Sequence, residues 1–304
     1  MTNVNGIITL ASEAKLSVLD RGFIFGDSIY EVTRTYDGVP FYLDEHFERL
    51  ENSARLAKMK ITQTRQFLVD EIRRTLKETN VQAGEDVFIR YMVSRGIGPL
   101  DLDPATATTT SYVIIVKDLP KWNSRHYSEG LVLGIPSVLR NSPRSLDPNI
   151  KSGNYLNNIL AVAEAKEMGA EDALMVSFDG NLTEASNSNV TFVFGNQLKS
   201  PLHNDQSHTG NLAGITRKIV SEIATRSGLD FQMTMIDPQE IAAATECFVT
   251  SATREIMPVK AILQKNGQHK DFPLGGGPVT KKLILEYKHF VREYTTKRKN
   301  EAWF

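Results

Sequence analysis

The 304-residue sequence has a single cysteine, Cys247, and lacks both a long apolar run and an excess of charge of either sign. One cysteine excludes an internal disulfide and zinc sites built from several cysteines. Because Cys247 lies in the apolar segment 246–250, we expect a buried thiol rather than a nucleophile. Without a basic and apolar leader or about 18 consecutive apolar residues, the sequence predicts an intracellular, cytoplasmic protein with no membrane partner.

The charges of the sequence are nearly balanced. The 35 Lys and Arg residues face 36 Asp and Glu residues, so the formal net charge is −1. Binding of a nucleic acid or an anionic membrane needs an excess of positive charge, and we expect neither partner. The composition, 41% hydrophobic and 23% charged, is that of a globular protein. At roughly 150 residues per domain, the length suggests two domains.

Hydrophobic periodicity divides the chain into two parts. Residues 1–119 are predicted to form a small N-terminal domain of strands and helices. The periodicity lapses over residues 120–130, which predicts an interdomain linker. Residues 131–304 alternate between predicted strands and helices and form a larger second domain.

Two patterns predict the individual elements. Apolar residues at helical spacing indicate helices, whereas alternation or short apolar runs bounded by turns indicate strands. The predicted helices are 45–58 with Asp44 as N-cap, 154–168, 215–226 and 279–295. The predicted strands are 30–36 and 39–43, joined at Asp37 and Gly38, then 86–94, 111–117, 131–139, 172–178 and 190–194.

Lys151 is the first candidate for chemistry. It stands between a proline-containing loop and the predicted helix 154–168, a position that would hold its side chain. A held lysine can supply the neutral amine that forms an imine with a carbonyl group. Tyr155 follows four residues later, which on a helical path would place its phenol over Lys151 and beside a cofactor. By spacing alone, a half-buried position in the core suits Tyr155 equally well.

Further polar groups suit a charged cofactor. Glu184 lies in a polar turn between predicted strands, where its carboxylate could keep a pyridine nitrogen protonated or could simply be exposed. Ile215 and Thr216 open the helix 215–226, whose free N–H groups could bind a phosphate, although Thr216 could also be a simple cap. Arg49 could donate to the same anion or lie on a solvated helix face.

Six motifs occur in a fixed order along nearly the whole chain. They are DRGFIFGDSIYEVTRTYDG, EHFERL, IKSGNYLNNILA, LTEASNSNV, LAGITR and GGGPVTKKLILEY. Together they resemble the fold type IV (class IV) pyridoxal-phosphate-dependent aminotransferases, and most closely the branched-chain amino acid aminotransferases. The resemblance implies a two-domain α+β fold, with a small α/β domain and a larger β-barrel-like domain with helices. It also implies pyridoxal 5′-phosphate as cofactor, and a homodimer or higher homo-oligomer, because members complete the site from the neighbouring subunit.

The resemblance implies a role for each candidate residue. It matches Lys151 with the catalytic Schiff-base lysine, Arg49 with the phosphate-binding arginine, Tyr155 with the partner of the cofactor hydroxyl, Glu184 with the residue on the pyridine nitrogen, and Ile215 and Thr216 with the phosphate cup. It adds a second phosphate-contacting turn at Ser251 and Ala252, where Ala252 replaces a usual hydroxyl residue and so offers only its backbone, and Asn187 as a further cofactor contact.

The implied reaction is transamination with ping-pong kinetics. Lys151 would form an aldimine with the cofactor, be displaced by the amino substrate, and move the proton between substrate Cα and cofactor C4′. A second 2-oxo acid, such as 2-oxoglutarate, would then take up the amino group.

Substrate preference depends on the first domain. Phe88, Arg90 and Met92 share one face of the predicted strand 86–94, and a guanidinium among apolar neighbours requires an anion. Arg90 falls where branched-chain members resemble one another in a Tyr-x-Arg pattern, in which the arginine assists the substrate carboxylate. Phe88 and Phe25 stand where many members carry tyrosines. Arg90 leads us to expect L-leucine, L-isoleucine and L-valine as substrates. The two missing tyrosine hydroxyls leave a wider specificity open.

Other activities remain open at this point. Tyr30, in FGDSIYEV, resembles the N-terminal motif of D-amino-acid aminotransferases, yet Leu100 and Leu102 replace the arginine and histidine of that subgroup's carboxylate trap. An (R)-amine aminotransferase, an aminodeoxychorismate lyase and a silent scaffold that keeps the fold are further alternatives. Tyr30, Ala252 and Thr253 complete the predicted substrate contacts, and small amino and oxo acids are the expected partners.

Overall fold

The computed structural model describes residues 1–82, 84–203, 210–265 and 267–304, which form two compact units. The first unit comprises Met1–Pro120, Ile150–Asn154 and Glu293–Phe304, and the second comprises Lys121–Asn149 and Tyr155–Arg292. The proposed domains 1–119 and 131–304, with the linker 120–130, stay a prediction. The first unit ends its main segment at Pro120 and also takes two segments from the later part of the chain.

The first unit is built on an antiparallel sheet with helices on one side. Its strands are β1 (Thr2–Val4), β2 (Ile7–Thr9), β3 (Ser28–Tyr36), β4 (Val39–Pro40), β5 (Val87–Ser94) and β6 (Ser111–Asp118). Their spatial order in the described ranges is β2-β1-β6-β5-β3-β4. Its helices are α1 (Arg21–Ile24), α2 (Leu43–Leu56) and α3 (Arg65–Thr79), with a 3-10 turn at Pro104–Thr106.

The β3–β4 hairpin turns at the predicted place. Asp37 and Gly38 have φ values of 51° and 74°, the left-handed conformations that a two-residue turn of this kind requires. The returning strand is shorter than the predicted 39–43, because Tyr42 is itself left-handed and is the N-cap of α2. The prediction of Asp44 as N-cap is therefore wrong. Asp44 lies in the first turn of α2, where a carboxylate interacts favourably with the helix dipole.

The two faces of the first sheet differ in what covers them. The odd-numbered residues of β5 are buried against α2 and α3, together with side chains such as Phe47, Leu50 and Ile72. The even-numbered residues Phe88 and Arg90 are half-buried on the opposite face. The predicted two-residue period of this strand is confirmed, and the helices leave the candidate substrate residues on the other face.

The second unit contains a larger sheet of mixed direction. Its strands are β7 (Leu131–Ile135), β8 (Asp172–Val176), β9 (Leu182–Ala185), β10 (Asn189–Phe194), β11 (Gln197–Pro201), β12 (Asp230–Thr234), β13 (Glu246–Ser251), β14 (Glu255–Gln264) and β15 (His269–Asp271). Their order in the described ranges is β12-β11-β10-β13-β14-β7-β8-β9, with β15 paired to β14. The later helices are α4 (Arg125–Ser128), α5 (Leu156–Glu167), α6 (Ile215–Arg226) and α7 (Pro278–Lys297), with 3-10 turns at Pro238–Ala243 and Lys299–Glu301.

The core of the second unit lies on this curled, half-barrel sheet. Buried side chains from β7 to β10, β13 and β14 form one apolar cluster that includes Cys247, which is 1% exposed. Burial raises the pKa of Cys247 well above its usual range, which confirms the prediction of an inert buried thiol. The α+β fold class is likewise confirmed. Over the described ranges, no helix combines the length and the apolar character that crossing a membrane demands.

Candidate active site

Lys151 is fixed at an edge of β3 by its backbone. The Tyr30 N–H donates to the Lys151 carbonyl at 2.9 Å, and the Lys151 N–H donates to the Ser53 hydroxyl at 3.1 Å. Ser152 then forms an antiparallel bridge with β3. The segment Ile150–Asn154 thus pairs with the part of β3 that β4 leaves uncovered, and this pairing, rather than the predicted helix entrance, holds the backbone of Lys151.

The chain from Lys151 to Tyr155 is not helical, which contradicts the spacing argument that would place the phenol of Tyr155 over Lys151. Helix α5 begins at Leu156, and Tyr155 is its N-cap with φ −106° and ψ 7°. The physical reason is that the backbone of Lys151 pairs with β3 and is not available for helical hydrogen bonds. The role of Tyr155 at a cofactor hydroxyl stays a prediction.

The ring of Tyr30 contacts two cationic side chains. Lys151 Nζ lies 3.4 Å from the phenol oxygen and 4.6 Å from the ring centroid. Arg90 Cζ lies 3.8 Å from the same centroid. Both centroid distances are those of cation–π contacts. Three residues that the sequence assigns to catalysis and substrate binding therefore meet in the first unit.

The two phenylalanines of the predicted pocket also belong to the first unit. Phe88 lies on the Arg90 face of β5, with Lys117 Nζ 5.1 Å from its ring centroid. Phe25 follows α1 and is 40% exposed, with Arg21 Cζ 6.0 Å from its ring centroid. Their contact with a substrate stays a prediction.

On the helix-covered face of the first sheet, Arg49 forms a bidentate ion pair with Glu31. Arg49 Nε and Nη2 donate to the two carboxylate oxygens at 2.7 and 2.8 Å, and His46 Nδ1 lies 2.7 Å from Glu31 Oε2. Burial alone would raise the pKa of Glu31, but Arg49 and His46 bring it down to about 2. Burial lowers the pKa of His46. The side chain of Arg49 is 14% exposed, so the alternative of a solvated arginine is wrong.

Glu184 lies in strand β9 rather than in a turn, and its side chain is 9% exposed. Arg140 Nη2 donates to Glu184 Oε1 at 3.0 Å, while the Leu212 N–H donates to Oε2 at 3.1 Å. The amide of Asn189 is 3.4 Å from Oε2. Both the predicted turn and the exposed alternative are therefore wrong. A four-residue strand flanked by polar residues resembles a loop in sequence, although its neighbours in the sheet bury it.

Arg140 is a site residue that the sequence analysis does not identify. Its guanidinium donates to Glu184, to Asn158 Oδ1 at 3.2 Å and to the Gly210 carbonyl at 3.1 Å. Asn158, on α5, donates in turn to the Ser186 carbonyl at 2.7 Å. The partners of Arg140 lie 44, 18 and 70 residues away along the chain, so no local pattern marks the residue.

Helix α6 has the predicted bounds and an open N-terminus. Its N-cap is Gly214, which has no side chain to cap the helix, so the alternative of Thr216 as the cap is wrong. A Cβ atom at Gly214 would lie 1.8 Å from Asn189 Oδ1, which only glycine avoids. The N–H groups of Ile215 and Thr216 therefore stand at a helix start that suits an anion.

The remaining candidates lie on two turns of the second unit. Residues 252–254 join β13 to β14, and Ser251 Oγ accepts the Arg254 N–H at 3.2 Å. The Trp122 indole N–H donates to the Thr253 carbonyl at 3.1 Å. Asn187 is the exposed residue of the turn between β9 and β10. The assignment of Ser251, Ala252, Thr253 and Asn187 to ligand binding stays a prediction.

The donor chemistry of these residues fits pyridoxal phosphate. Lys151 offers a primary amine for an aldehyde, the start of α6 offers backbone donors for a phosphate, and Glu184 offers a buried carboxylate for a protonated pyridine nitrogen. An amine, phosphate donors and a carboxylate are the kinds of group that a pyridoxal-phosphate-dependent enzyme uses.

Comparison with known proteins gives the family. The model of the family "Amino-transferase class IV" matches residues 28–262. The chain is 32% identical over 285 residues to a putative branched-chain-amino-acid aminotransferase of Methanocaldococcus jannaschii, covering 94% of each. It is 30% identical over 293 residues to a D-alanine aminotransferase of Staphylococcus epidermidis, covering 96% of this chain and 98% of that protein. A solved branched-chain aminotransferase of the archaeon Thermoproteus uzoniensis with norvaline is similar with a TM-score of 0.83 and 27% identity, over 95% of this chain and 94% of that one.

The chain belongs to the class IV aminotransferases. Its activity is pyridoxal-phosphate-dependent transfer of an amino group between small amino and oxo acids, so the predictions of enzyme class and cofactor are confirmed. The relatives include enzymes named for different amino substrates.

Proposed function

We propose that this aminotransferase acts on the L-branched-chain amino acids leucine, isoleucine and valine, with a 2-oxo acid such as 2-oxoglutarate as acceptor. The observation that carries the proposal is the environment of Arg90. Its guanidinium lies on the half-buried face of β5 against the ring of Tyr30, which Lys151 also contacts. Within the described ranges Arg90 contacts this aromatic ring but no carboxylate. Its N–H groups can therefore donate to the carboxylate of an amino acid substrate.

The residues of the first unit would divide the work at the reacting end of the substrate. Lys151 Nζ would take the proton from substrate Cα. In the reverse half-reaction it would return a proton to that carbon. Arg90 binds and orients the substrate carboxylate, and Tyr30 fixes the positions of both cations through its ring. Phe25 and Phe88 add apolar surface for a branched side chain.

Other residues would hold the cofactor. Arg49 and the N–H groups of Ile215 and Thr216 would bind the phosphate, and the Glu184 carboxylate would keep the pyridine nitrogen protonated. Arg140 holds the Glu184 carboxylate in place through the 3.0 Å ion pair. The bound cofactor supplies the carbonyl that takes up the amino group and a ring that withdraws electrons from substrate Cα.

D-Amino acids are the second candidate class, because a D-alanine aminotransferase is among the relatives at 30% identity. In this chain Leu100 and Leu102 are 75% and 79% exposed, and neither side chain can bind a carboxylate. This observation favours the L-branched-chain proposal over the D-amino-acid alternative.

A spectral assay of the purified holoenzyme tests the proposal. L-Leucine, D-alanine and (R)-1-phenylethylamine are added separately, and the loss of the visible cofactor band is followed. We expect L-leucine to react fastest, since only it offers both a carboxylate for Arg90 and a branched side chain of the L configuration. Faster reaction with D-alanine or with the amine would contradict the branched-chain assignment while leaving the aminotransferase class intact.

We also propose that the protein forms a homodimer or a higher homo-oligomer. The supporting observation is an apolar stripe on α5, where Leu156, Ile159 and Leu160 are 64%, 60% and 51% exposed. These positions share one helical face, and a contiguous exposed apolar face of this kind marks a protein contact. Light scattering should give at least twice the monomer mass, and Ile159→Lys with Leu160→Lys should reduce it. A monomeric wild-type protein would refute the proposal.

A further inference from the structure

Arg254 is a buried arginine directly after the candidate site turn 251–253. It is 6% exposed, and its Nη1 donates to Asp172 at 2.8 Å and to Ser188 Oγ at 3.1 Å. Its guanidinium carbon lies 4.8 Å from the ring centroid of Trp122. One side chain therefore links the β13–β14 turn to strand β8 and to the turn between β9 and β10.

The loop 252–254, of which Arg254 is the last residue, leads into a residue with an unfavourable backbone conformation. Ser251 pairs with Glu255 across a three-residue loop, and Glu255 has φ 56°. This left-handed conformation is one that glycine adopts without steric cost. Because Glu255 bears a Cβ atom, its conformation persists only where the surroundings enforce it. The residues just before Glu255 are held by the Trp122 indole N–H, which donates to the Thr253 carbonyl, and by the contact of Arg254 with Asp172.

Stability alone is a poor reason for a buried arginine here. The Arg254–Asp172 pair has side-chain exposures of 7% and 4%, and a buried ion pair of this kind adds little to stability compared with well-packed apolar side chains. Moreover, Nε of Arg254 is buried without a hydrogen-bond partner among the described residues, which is a further cost. These costs indicate that Arg254 contributes chiefly by fixing the positions of the segments that it contacts, which carry Asp172 and Ser188.

The chemistry of Ser251 shows what would depend on those positions. Its Oγ accepts the backbone N–H of Arg254 at 3.2 Å, so its own hydroxyl proton remains to be donated. Ala252, the next residue, can offer only its backbone N–H. A turn with so few donors binds an anion well only if its backbone is held in one position.

We propose that Arg254 is a positioning residue, which fixes the turn 251–253 relative to the turn 186–188 and so sets the affinity for the cofactor phosphate. This inference rests on the proposed assignment of Ser251 and Ala252 to that phosphate. It does not depend on which amino acid is the substrate.

The test compares binding of pyridoxal phosphate and of pyridoxal, which lacks the phosphate, to the apoprotein by absorbance titration. The variant carries Arg254→Met together with Asp172→Asn, so that no unpaired charge is left buried. We expect the Kd for pyridoxal phosphate to rise about tenfold, or ~1.4 kcal/mol, with the Kd for pyridoxal changed by less than about twofold. Thermal unfolding should stay within roughly 4 °C of the wild type.

A matched control removes a second ion pair of the same unit, the 2.8 Å contact between Lys260 and Glu129. Lys260→Met with Glu129→Gln should leave both dissociation constants unchanged. If the Arg254 double variant fails to fold, Ser188→Ala, which keeps the Arg254–Asp172 pair but removes the contact of Arg254 with the turn 186–188, is judged by the same ratio of the two dissociation constants. An unchanged ratio in the folded variant overturns the inference. A wrong branched-chain assignment would instead appear in the donor assay and leave this ratio as expected.

Discussion

Replacing Glu31 by glutamine removes the buried charge that holds Arg49 and His46. Glu31 is 0% exposed, and its pKa falls from 4.5 to about 2 in the folded protein despite its burial. Since each pKa unit corresponds to about 1.4 kcal/mol, the folded state favours the ionised form by about 3 kcal/mol. Glu31→Gln also removes the buried carboxylate that pairs with the Arg49 guanidinium at 2.7 Å. We therefore expect the free energy of unfolding to fall by about 3 kcal/mol at pH 7.

The same linkage fixes the pH dependence of the effect. The folded-state pKa of Glu31 lies below its unfolded value of 4.5, so its contribution is fully present above pH 4.5 and is lost as the pH falls toward 2. Urea unfolding of the wild-type and Glu31→Gln holoenzymes from pH 7 to pH 3 should therefore show a stability difference that shrinks below pH 4.5.

The matched control for this experiment is Glu51→Gln, also on helix α2. Glu51 is 52% exposed and pairs with Arg65 at 3.0 Å, so its loss should cost no more than about 1 kcal/mol. A Glu31→Gln effect as small as that of Glu51→Gln, or one that does not change between pH 7 and pH 3, would refute the reasoning.

Three further substitutions probe the candidate site. Arg90→Ala should lower kcat/KM for L-leucine by roughly 50-fold, since a hydrogen bond to a charged group is worth about 1.5–3 kcal/mol. It should have little effect on a carboxylate-free amine, and equal small changes for both donors would rule out Arg90 as the carboxylate site. Lys151→Ala should abolish the visible band that borohydride removes, whereas Lys166→Ala, on the exposed face of α5, should retain it; a reducible band in both would exclude Lys151 as the attachment point. Gly214→Ala places a Cβ atom 1.8 Å from Asn189 Oδ1 and should weaken pyridoxal phosphate binding to the apoprotein by about tenfold. Unchanged binding would show that the start of α6 does not contact the phosphate.

Features with local signals could be predicted from the sequence. The turn at Asp37 and Gly38 follows from two residues that tolerate positive φ, and α6 follows from an apolar period that begins directly after Gly214. Helix α3 could have been found in the same way, because Thr64 is a side-chain cap that accepts the Phe67 N–H.

Features that depend on distant partners could not be predicted. Arg140 is a site residue because of Glu184, which is 44 positions away, and Glu31 is an anion because of Arg49, which is 18 positions away. The strand character of Glu184 comes from β8, and the non-helical path after Lys151 comes from β3. In each case tertiary contacts override the local pattern, which carries no record of them.

The attachment of Lys151 to β3 also protects the sheet. β4 pairs with Thr35 and Tyr36 and the Phe41 N–H donates to the Arg34 carbonyl, so the first part of this edge of β3 would otherwise present unpaired N–H and C=O groups. Free edges of this kind recruit strands from other molecules and lead to aggregation. Ile150–Asn154 occupies the beginning of β3 on this edge. The segment that carries the proposed Schiff-base lysine thus also covers a strand edge that could otherwise pair with a strand of another molecule.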